Sequence, residues 1–589
     1  MSIDEIGSVR TGAVAPPVTV ATSETLEDYT LRFAPSTYRR WRPAVVATTA
    51  LGGIAYLADF AIGGSIGLTF GTANALISIL VGVIVIFVTG LPLAYYGARF
   101  NTDLDLISRG AGFGYYGSVL TNVIFATFTF IFFALEGSIM AQGLLLGLGI
   151  PLWLGYLICT LMIIPIVIFG MSALSKMQIW TTPLWLILMV GPFVYLVITD
   201  PASVGRWMAY AGSEGGTGVS LTAIGLGAGV VLSLMAQIGE QVDYLRFMPA
   251  KTKENKRAWW TAVIAAGPGW VLLGGLKQAA GAFLAGYIVA EIGAAAAVEP
   301  VQQFSATFTK IVPGWAAIAL AVILVVISQV KINSTNAYSG SLAWTNSFTR
   351  VSKRYPRRIV FVFVNLAFAL TLMEANMFAS LNALLGFYAN CAIAWITTVA
   401  ADIAINKYLL GISPKEPEFR RAYLYAFNPV GVGSFLLATG VSWAAYFQAF
   451  GSGAKSFSPL IALVIALVAT PVIALATKGK YYLKRPDLQP EARFTPDGTP
   501  TTTTLDCAAC GLTYERPDMV DCSFHQARLC SLCCTTEKNC KAVCHESHTF
   551  LGLPASSAPG HPLGDGAGSD QAPLGELAGS QPVRRSTAP

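Results

Sequence analysis

An all-α polytopic membrane protein of twelve transmembrane helices, followed by a small zinc-binding-like C-terminal module, is what the sequence predicts. Three observations carry that expectation. The 589-residue chain is 54% hydrophobic and only 12% charged, whereas soluble domains carry about 25% charged residues. Apolar segments recur at about 44–70, 72–98, 118–147, 151–171, 177–198, 221–246, 258–290, 313–345, 358–378, 380–405, 429–450 and 457–477, and about 20 such residues cross a bilayer. Basic residues gather in alternate loops: Arg32, Arg39, Arg40 and Arg42 precede span 1, and further groups follow spans 2, 4, 6, 8, 10 and 12. The opposite loops offer little beyond Arg206, Lys310 and Lys455.

By the positive-inside rule this alternation puts both termini in the cytoplasm. It also supports the count, because a missed span would invert the pattern downstream. The expected location is the cytoplasmic membrane, multi-pass. Residues 1–43 are polar and lack a signal-peptide apolar run, so span 1 is expected to direct insertion. The membrane domain is 44–477. A linker, rich in Pro and Thr after Arg485, covers 478–506, a Cys/His-rich module 507–548, and a disordered Gly/Pro/Ala/Ser-rich tail 549–589.

Two spans read as interrupted. Span 1 holds Gly52-Gly53 and Gly63-Gly64 with Asp59 between them. Span 6 holds Gly225, Gly227 and Gly229, then Gln237, Gly239, Glu240, Gln241 and Asp243. Glycine-broken helices five spans apart are the mark of inverted-repeat transporters. Unwound backbone at that depth is tolerable only where it lines a cavity. The competing reading is that the glycines permit close helix packing.

Asp59, Glu136, Glu240 and Lys331 are the ionisable residues expected to lie deep, with Lys277 also inside span 7. A charge at the helix centre costs about 2.5–3.5 kcal/mol on insertion scales and marks a pathway. Lys331 opens the polar end of span 8, where Lys331, Thr335 and Tyr338 share one helix face and Gln329, Asn333 and Asn336 another. Alternatively, Lys331 snorkels to the headgroups from a helix end. The apolar run Ala316–Ile327 is too short on its own for about 30 Å of hydrocarbon.

Several stretches then carry a resemblance: Gly97-Ala98-Arg99 closing span 2, Arg109 and Gly117-Ser118 before span 3, Phe169 to Leu174 after span 4, Asp243-Tyr244-Leu245-Arg246-Phe247 ending span 6, the Asn-rich run of span 8, and Ala401-Asp402. Over about residues 26–480 the chain resembles the nucleobase–cation symporters, in the purine–cytosine and hydantoin permease branch. The resemblance implies a LeuT-type fold, a 5+5 inverted repeat plus two extra helices. It implies that Phe132 stacks on a flat substrate ring and Glu136 bonds its edge. Gln237, Asn336 and the span 10 aromatic Phe387 (or Tyr388) complete the expected substrate site. Leu234 stands where a second aromatic platform belongs, for which Met235 or the span 10 aromatic is the expected substitute.

A sodium site is implied between span 1 carbonyls and span 8 hydroxyls. The ungapped match sets Lys331 there in place of the ion, with Asp59 or Glu136 as counter-charge. A match shifted by three residues restores Ser334 and Thr335 as sodium ligands. Asp59, Glu240, Lys331, Ser334 and Thr335 are thus the ion-coupling candidates, and the coupling ion is H+ or Na+.

The tail carries Cys507-x2-Cys510, Cys522-x2-His525, Cys530-x2-Cys533 and Cys540-x3-Cys544. Four ligand pairs suit two tetrahedral zinc ions. A cross-brace would join Cys507, Cys510, Cys530 and Cys533 at one ion and Cys522, His525, Cys540 and Cys544 at the other. Disulfides compete, but a cytoplasmic tail is reducing.

The expected function is a secondary active permease, cation-coupled by alternating access, importing a nucleobase or related heterocycle such as cytosine, purine or hydantoin. The alternative is a solute sensor signalling through the tail to a cytoplasmic protein. An enzyme is not expected: no nucleophile–base constellation is evident, and all four histidines lie in the tail. The expected partners are the heterocycle and the lipid bilayer, and not nucleic acid.

Overall fold

The computed structural model describes residues 31–39, 41–214, 218–376, 380–487, 503–541 and 543–545. The N-terminal 30 residues, most of the linker, His548 and the 549–589 tail lie outside them, as does the Cys544 side chain. Each of the twelve apolar segments holds helix. Eight described helices are long and apolar enough to cross a membrane, or nine if the bent pair of span 1 is one span. Spans 4, 9 and 11 are the shorter helices Leu152–Ile168, Arg358–Glu374 and Pro429–Tyr446.

Span 1 is Pro43–Gly53 and Ala58–Phe70, bent by 51° at residues 54–57. Its two glycine pairs do different work. Gly52-Gly53 ends the first helix. Gly63-Gly64 lies inside the second and lets span 7 approach, since a Cβ on Gly63 would stand 1.8 Å from the Gln278 carbonyl oxygen. Gly281 of span 7 reciprocates, its Cβ falling 2.3 Å from the Phe60 carbonyl. Both main chains would have to separate to admit a methyl group. Gly63→Ala is therefore expected to destabilise by about 1–3 kcal/mol, the usual range for overpacking, seen as a lower midpoint in thermal unfolding.

Span 6 corrects the sequence reading. It runs Leu221–Leu232, a 3-10 segment Ser233–Gln237, then Ile238–Leu245. The path tightens at mid-span without breaking, a local change typical of a functional hinge. Its glycines serve packing: Cβ atoms on Gly225 and Gly227 would meet the Ser456 carbonyl at 2.7 Å and Ser78 Oγ at 2.5 Å.

Span 8 is the longest helix, Gly314–Ser352, about 58 Å at 1.5 Å per residue. Its far end reaches the loop between spans 2 and 3, where Arg350 donates to the Tyr115 carbonyl and pairs with Asp105. Lys331 sits well inside it and is fully buried, which removes the snorkelling alternative.

The C-terminal module holds two antiparallel hairpins and a short helix. β1 (Thr504–Asp506) pairs with β2 (Thr513–Glu515), and β3 (Met519–Cys522) with β4 (Ala527–Cys530). Helix Ser531–Thr536 follows. Its small interior is Cys507, Tyr514, Met519, Cys522, Leu529, Cys530 and Leu532, joined by Leu31 from the N-terminal segment. The module rests on the terminal face of the helical bundle.

Candidate functional site

The break in span 1 is filled by an ammonium from span 7 (Lys256–Ala266 and Trp270–Ile292). Lys277 Nζ donates to the carbonyls of Ile54 (2.7 Å) and Tyr56 (2.9 Å), and lies 2.9 Å from Asp59 Oδ2. It also sits 3.8 Å from the centre of the Tyr56 ring. The physical cause is local. A helix end leaves carbonyls without intrahelical partners and carries the negative end of the helix dipole. An ammonium has three donors, and here two serve carbonyls and one the carboxylate. Gln278 Nε2 adds a 2.7 Å bond to Asp59 Oδ1. Asp59 is fully buried and Lys277 nearly so.

Glu136 of span 3 (Gly117–Leu148) faces the other side of the break. Its Oε1 accepts from the Ala58 backbone N–H at 3.3 Å, at the start of the second half of span 1. Glu240 of span 6 accepts from Gln237 Nε2 at 2.6 Å. Tyr56 lies within electrostatic reach of Asp59, Glu136 and Glu240. Three carboxylates thus surround the break, and only Asp59 has a cation within 4 Å among the described residues. Glu136 Oε2, Glu240 Oε1, Asn336 Oδ1 and both polar atoms of Gln241 are buried without hydrogen-bond partners. Leaving such a group unpaired costs about 1–3 kcal/mol.

Phe132 is buried, its ring 4.4 Å from that of Phe128. It lies one turn before Glu136 on the same helix. Asn333 donates to the Phe133 carbonyl at 3.3 Å, and Asn336 donates to Asn333 Oδ1 at 3.2 Å. Glu136 and Glu240 thus approach the break, while Phe132 lies a turn from Glu136 on span 3, Gln237 bonds Glu240, and Asn336 reaches span 3 through Asn333.

Two expected residues lie elsewhere. The Phe387 ring stacks on Trp443 of span 11 at 5.2 Å and 10°, away from span 3. Its neighbour Tyr388 takes the inward position, with its hydroxyl bonded to the Ile124 carbonyl at 3.1 Å. Lys331 does not touch span 1. Its Nζ donates to the Gln178 carbonyl (2.8 Å), Thr182 Oγ1 (2.8 Å) and Thr181 Oγ1 (3.1 Å), all on span 5. Neither Asp59 nor Glu136 is its counter-charge.

The hydroxyls beside it are also engaged. Ser334 donates to its own helix at Val330, 2.7 Å away. Thr335 Oγ1 lies 2.7 Å from Tyr244 Oη. Thr335 does border span 1, since a Cβ on Gly53 would stand 3.4 Å from its Oγ1.

In the module, the sulfurs of Cys507, Cys510, Cys530 and Cys533 all lie within 4.8 Å of one another. Tetrahedral zinc at about 2.3 Å from each thiolate needs such a set. Backbone N–H groups already point at the sulfurs: Cys530 N to Cys507 Sγ at 3.2 Å and Cys533 N to Cys530 Sγ at 3.4 Å. These residues fit a zinc ion. For the other expected set, Cys522 Sγ lies 3.4 Å from His525 Nδ1, and Cys522, Cys534, Cys540 and His545 line one small cavity. His525 Nε2 also reaches Glu537 Oε2 at 3.2 Å.

A family model described as permease for cytosine/purines, uracil, thiamine and allantoin matches residues 34–410. Among solved structures, Mhp1, a nucleobase-cation-symport-1 family transporter in a closed conformation with bromovinylhydantoin bound, is similar with a TM-score of 0.56 and 18% identity, covering 78% of this chain and 100% of that one. The inward-facing conformation of Mhp1 gives 0.53 and 18%, covering 79% and 99%. A substrate-bound, outward-open Na+-coupled sialic acid symporter gives 0.50 and 13%, covering 76% and 92%. At these identities the structural likeness bears on the fold, which is the LeuT-type architecture. A search of curated proteins finds no match.

Proposed function

The chain belongs to the family of permeases for cytosine/purines, uracil, thiamine and allantoin, and from that premise we propose that it imports a planar, nitrogen-rich heterocycle by alternating access, coupled to protons. Its family makes it a membrane transporter and not an enzyme. The observation that carries the finer reading is the set of charges at the span 1 break. An ammonium of the chain itself already satisfies the carbonyls there, while two buried carboxylates, Glu136 and Glu240, have no cation within 4 Å among the described residues, Lys277 acting on Glu136 only from farther off. A site with an in-built cation and spare carboxylates suits proton uptake better than sodium binding.

In this reading Phe132 offers an aromatic face for ring stacking. Glu136, next to it on the helix, accepts N–H donors from the ring edge. Glu240, held by Gln237 at the 3-10 hinge of span 6, carries the proton. The hydantoin in the related Mhp1 structure fits the same flat, amide-rich class. The alternation of basic loops supports a cytoplasmic side for both termini. Sensing is the less favoured reading, because the family and the structural relatives are transporters.

The test is a thermal-shift panel of cytosine, uracil, allantoin and hydantoin on the purified full chain, since a ligand of the native state raises the melting point by mass action. At least one should shift it, and Phe132→Ala should weaken that ligand's binding by tenfold or more, within the range of about 1–3 kcal/mol per stacked base. A ligand whose affinity is unchanged in both Phe132→Ala and Glu136→Ala would contradict the site.

A further inference from the structure

We propose that residues 503–545 form a zinc-loaded clasp that holds the terminal face of the transporter shut, and that losing the metal releases it. The effect on transport rests on the transporter reading above; the docking does not.

The module touches elements from opposite ends of the inverted repeat. Toward the segment that precedes span 1, Glu515 accepts from the Ser36 backbone N–H at 2.6 Å and from Arg39 at 2.8 Å. Arg32 lies 4.7 Å over the Tyr514 ring. Toward the loop between spans 2 and 3, Tyr115 donates to Thr535 Oγ1 at 2.9 Å. Toward the loop after span 10, Arg421 donates to the carbonyls of Cys534 (3.0 Å) and Glu537 (2.9 Å). Arg420 donates to the Met519 carbonyl at 2.8 Å. The three contacts made by Arg420 and Arg421 fall on module backbone, so docking against the loop after span 10 depends on the module's fold and not on replaceable side chains.

Beneath the clasp runs a buried latch between the same elements. The Ala34 N–H donates to the Asn101 carbonyl at 2.8 Å, and Asn101 Nδ2 donates to the carbonyls of Arg246 and Met248 at the end of span 6, both at 2.8 Å. Asp105 is shared by Arg109 (2.5 Å) and by Arg350 of span 8 (2.9 Å). Arg109 also donates to the Phe419 carbonyl at 3.1 Å, reaching the loop after span 10. Alternating access rocks one part of such a fold against the other. Opening this face must separate these partners, and the clasp resists by bridging them from outside.

The metal enters because so small an interior cannot hold the module together alone; in such domains binding energy is folding energy. The four thiols of Cys507, Cys510, Cys530 and Cys533 supply that site.

The test measures zinc content and amide exchange on the full chain in detergent under reducing conditions. We expect bound zinc. Stripping it with a chelator, or by Cys530→Ser, should speed exchange at residues 31–39 and 101–116 by tenfold or more, as local opening becomes easier. Glu515→Ala should speed exchange at 31–39 with zinc content unchanged, a readout that does not require the module to unfold. Absence of zinc, or latch amides that exchange at the loaded rate in the zinc-free protein and in Glu515→Ala, would overturn the proposal.

Discussion

Lys277→Ala is expected to be among the most damaging single changes in the membrane domain. It leaves Asp59 fully buried with no cation and strips two span 1 carbonyls of their donor. Removing one partner of a buried pair costs about 3–5 kcal/mol, because the other charge stays behind. The melting temperature of the purified protein should fall accordingly. The double variant Lys277→Met with Asp59→Asn should recover much of the loss, since both charges are then gone. A double variant no more stable than Lys277→Ala would show that the pair is not the reason.

The second large effect is on coupling. Glu240→Gln keeps a hydrogen-bonding side chain beside Gln237 but cannot bind and release a proton at physiological pH. In proteoliposomes it should still exchange labelled for unlabelled substrate across the membrane. Net accumulation against a gradient should fall by a hundredfold or more, about 2.8 kcal/mol of lost driving force at tenfold per 1.4 kcal/mol. Exchange and accumulation lost together would instead make Glu240 a substrate ligand.

Much of this arrangement was legible in the residues because its signals are local. Apolar run length located the helical segments, eight or nine of which are long and apolar enough to cross a membrane among the described residues, and CxxC spacing marked Cys507/Cys510 and Cys530/Cys533 as ligand pairs, though only the fold shows that these two pairs meet. The deep placement of Asp59, Glu136, Glu240 and Lys331 also followed from charge in an apolar setting. What was not legible depends on how helices are rotated and crossed. Lys277 was as visible a charge as Lys331, but its approach to the span 1 break is set by the glycine contact of Gly63 and Gly281, which no periodicity reveals. Phe387 and Tyr388 differ by one residue, a turn of about 100° on a helix, and packing against span 11 decides which faces inward. The 3-10 tightening of span 6 is likewise a tertiary choice: its glycines pack against spans 2 and 12 and do not mark a break.

The docked module adds a feature that transport itself does not require. Arg420, Arg421, Arg39 and Arg32 look from sequence like ordinary inside-positive loop charges. In the structure each contacts the module. Basic residues in such loops can also serve as docking groups.

The most direct test of the account is uptake of a thermal-shift ligand into proteoliposomes under separately imposed gradients. Accumulation is expected to be driven by an inward proton gradient in sodium-free buffer and to be abolished by Glu240→Gln. Accumulation that requires a sodium gradient, survives Glu240→Gln and is lost in Ser334→Ala or Thr335→Ala would contradict it.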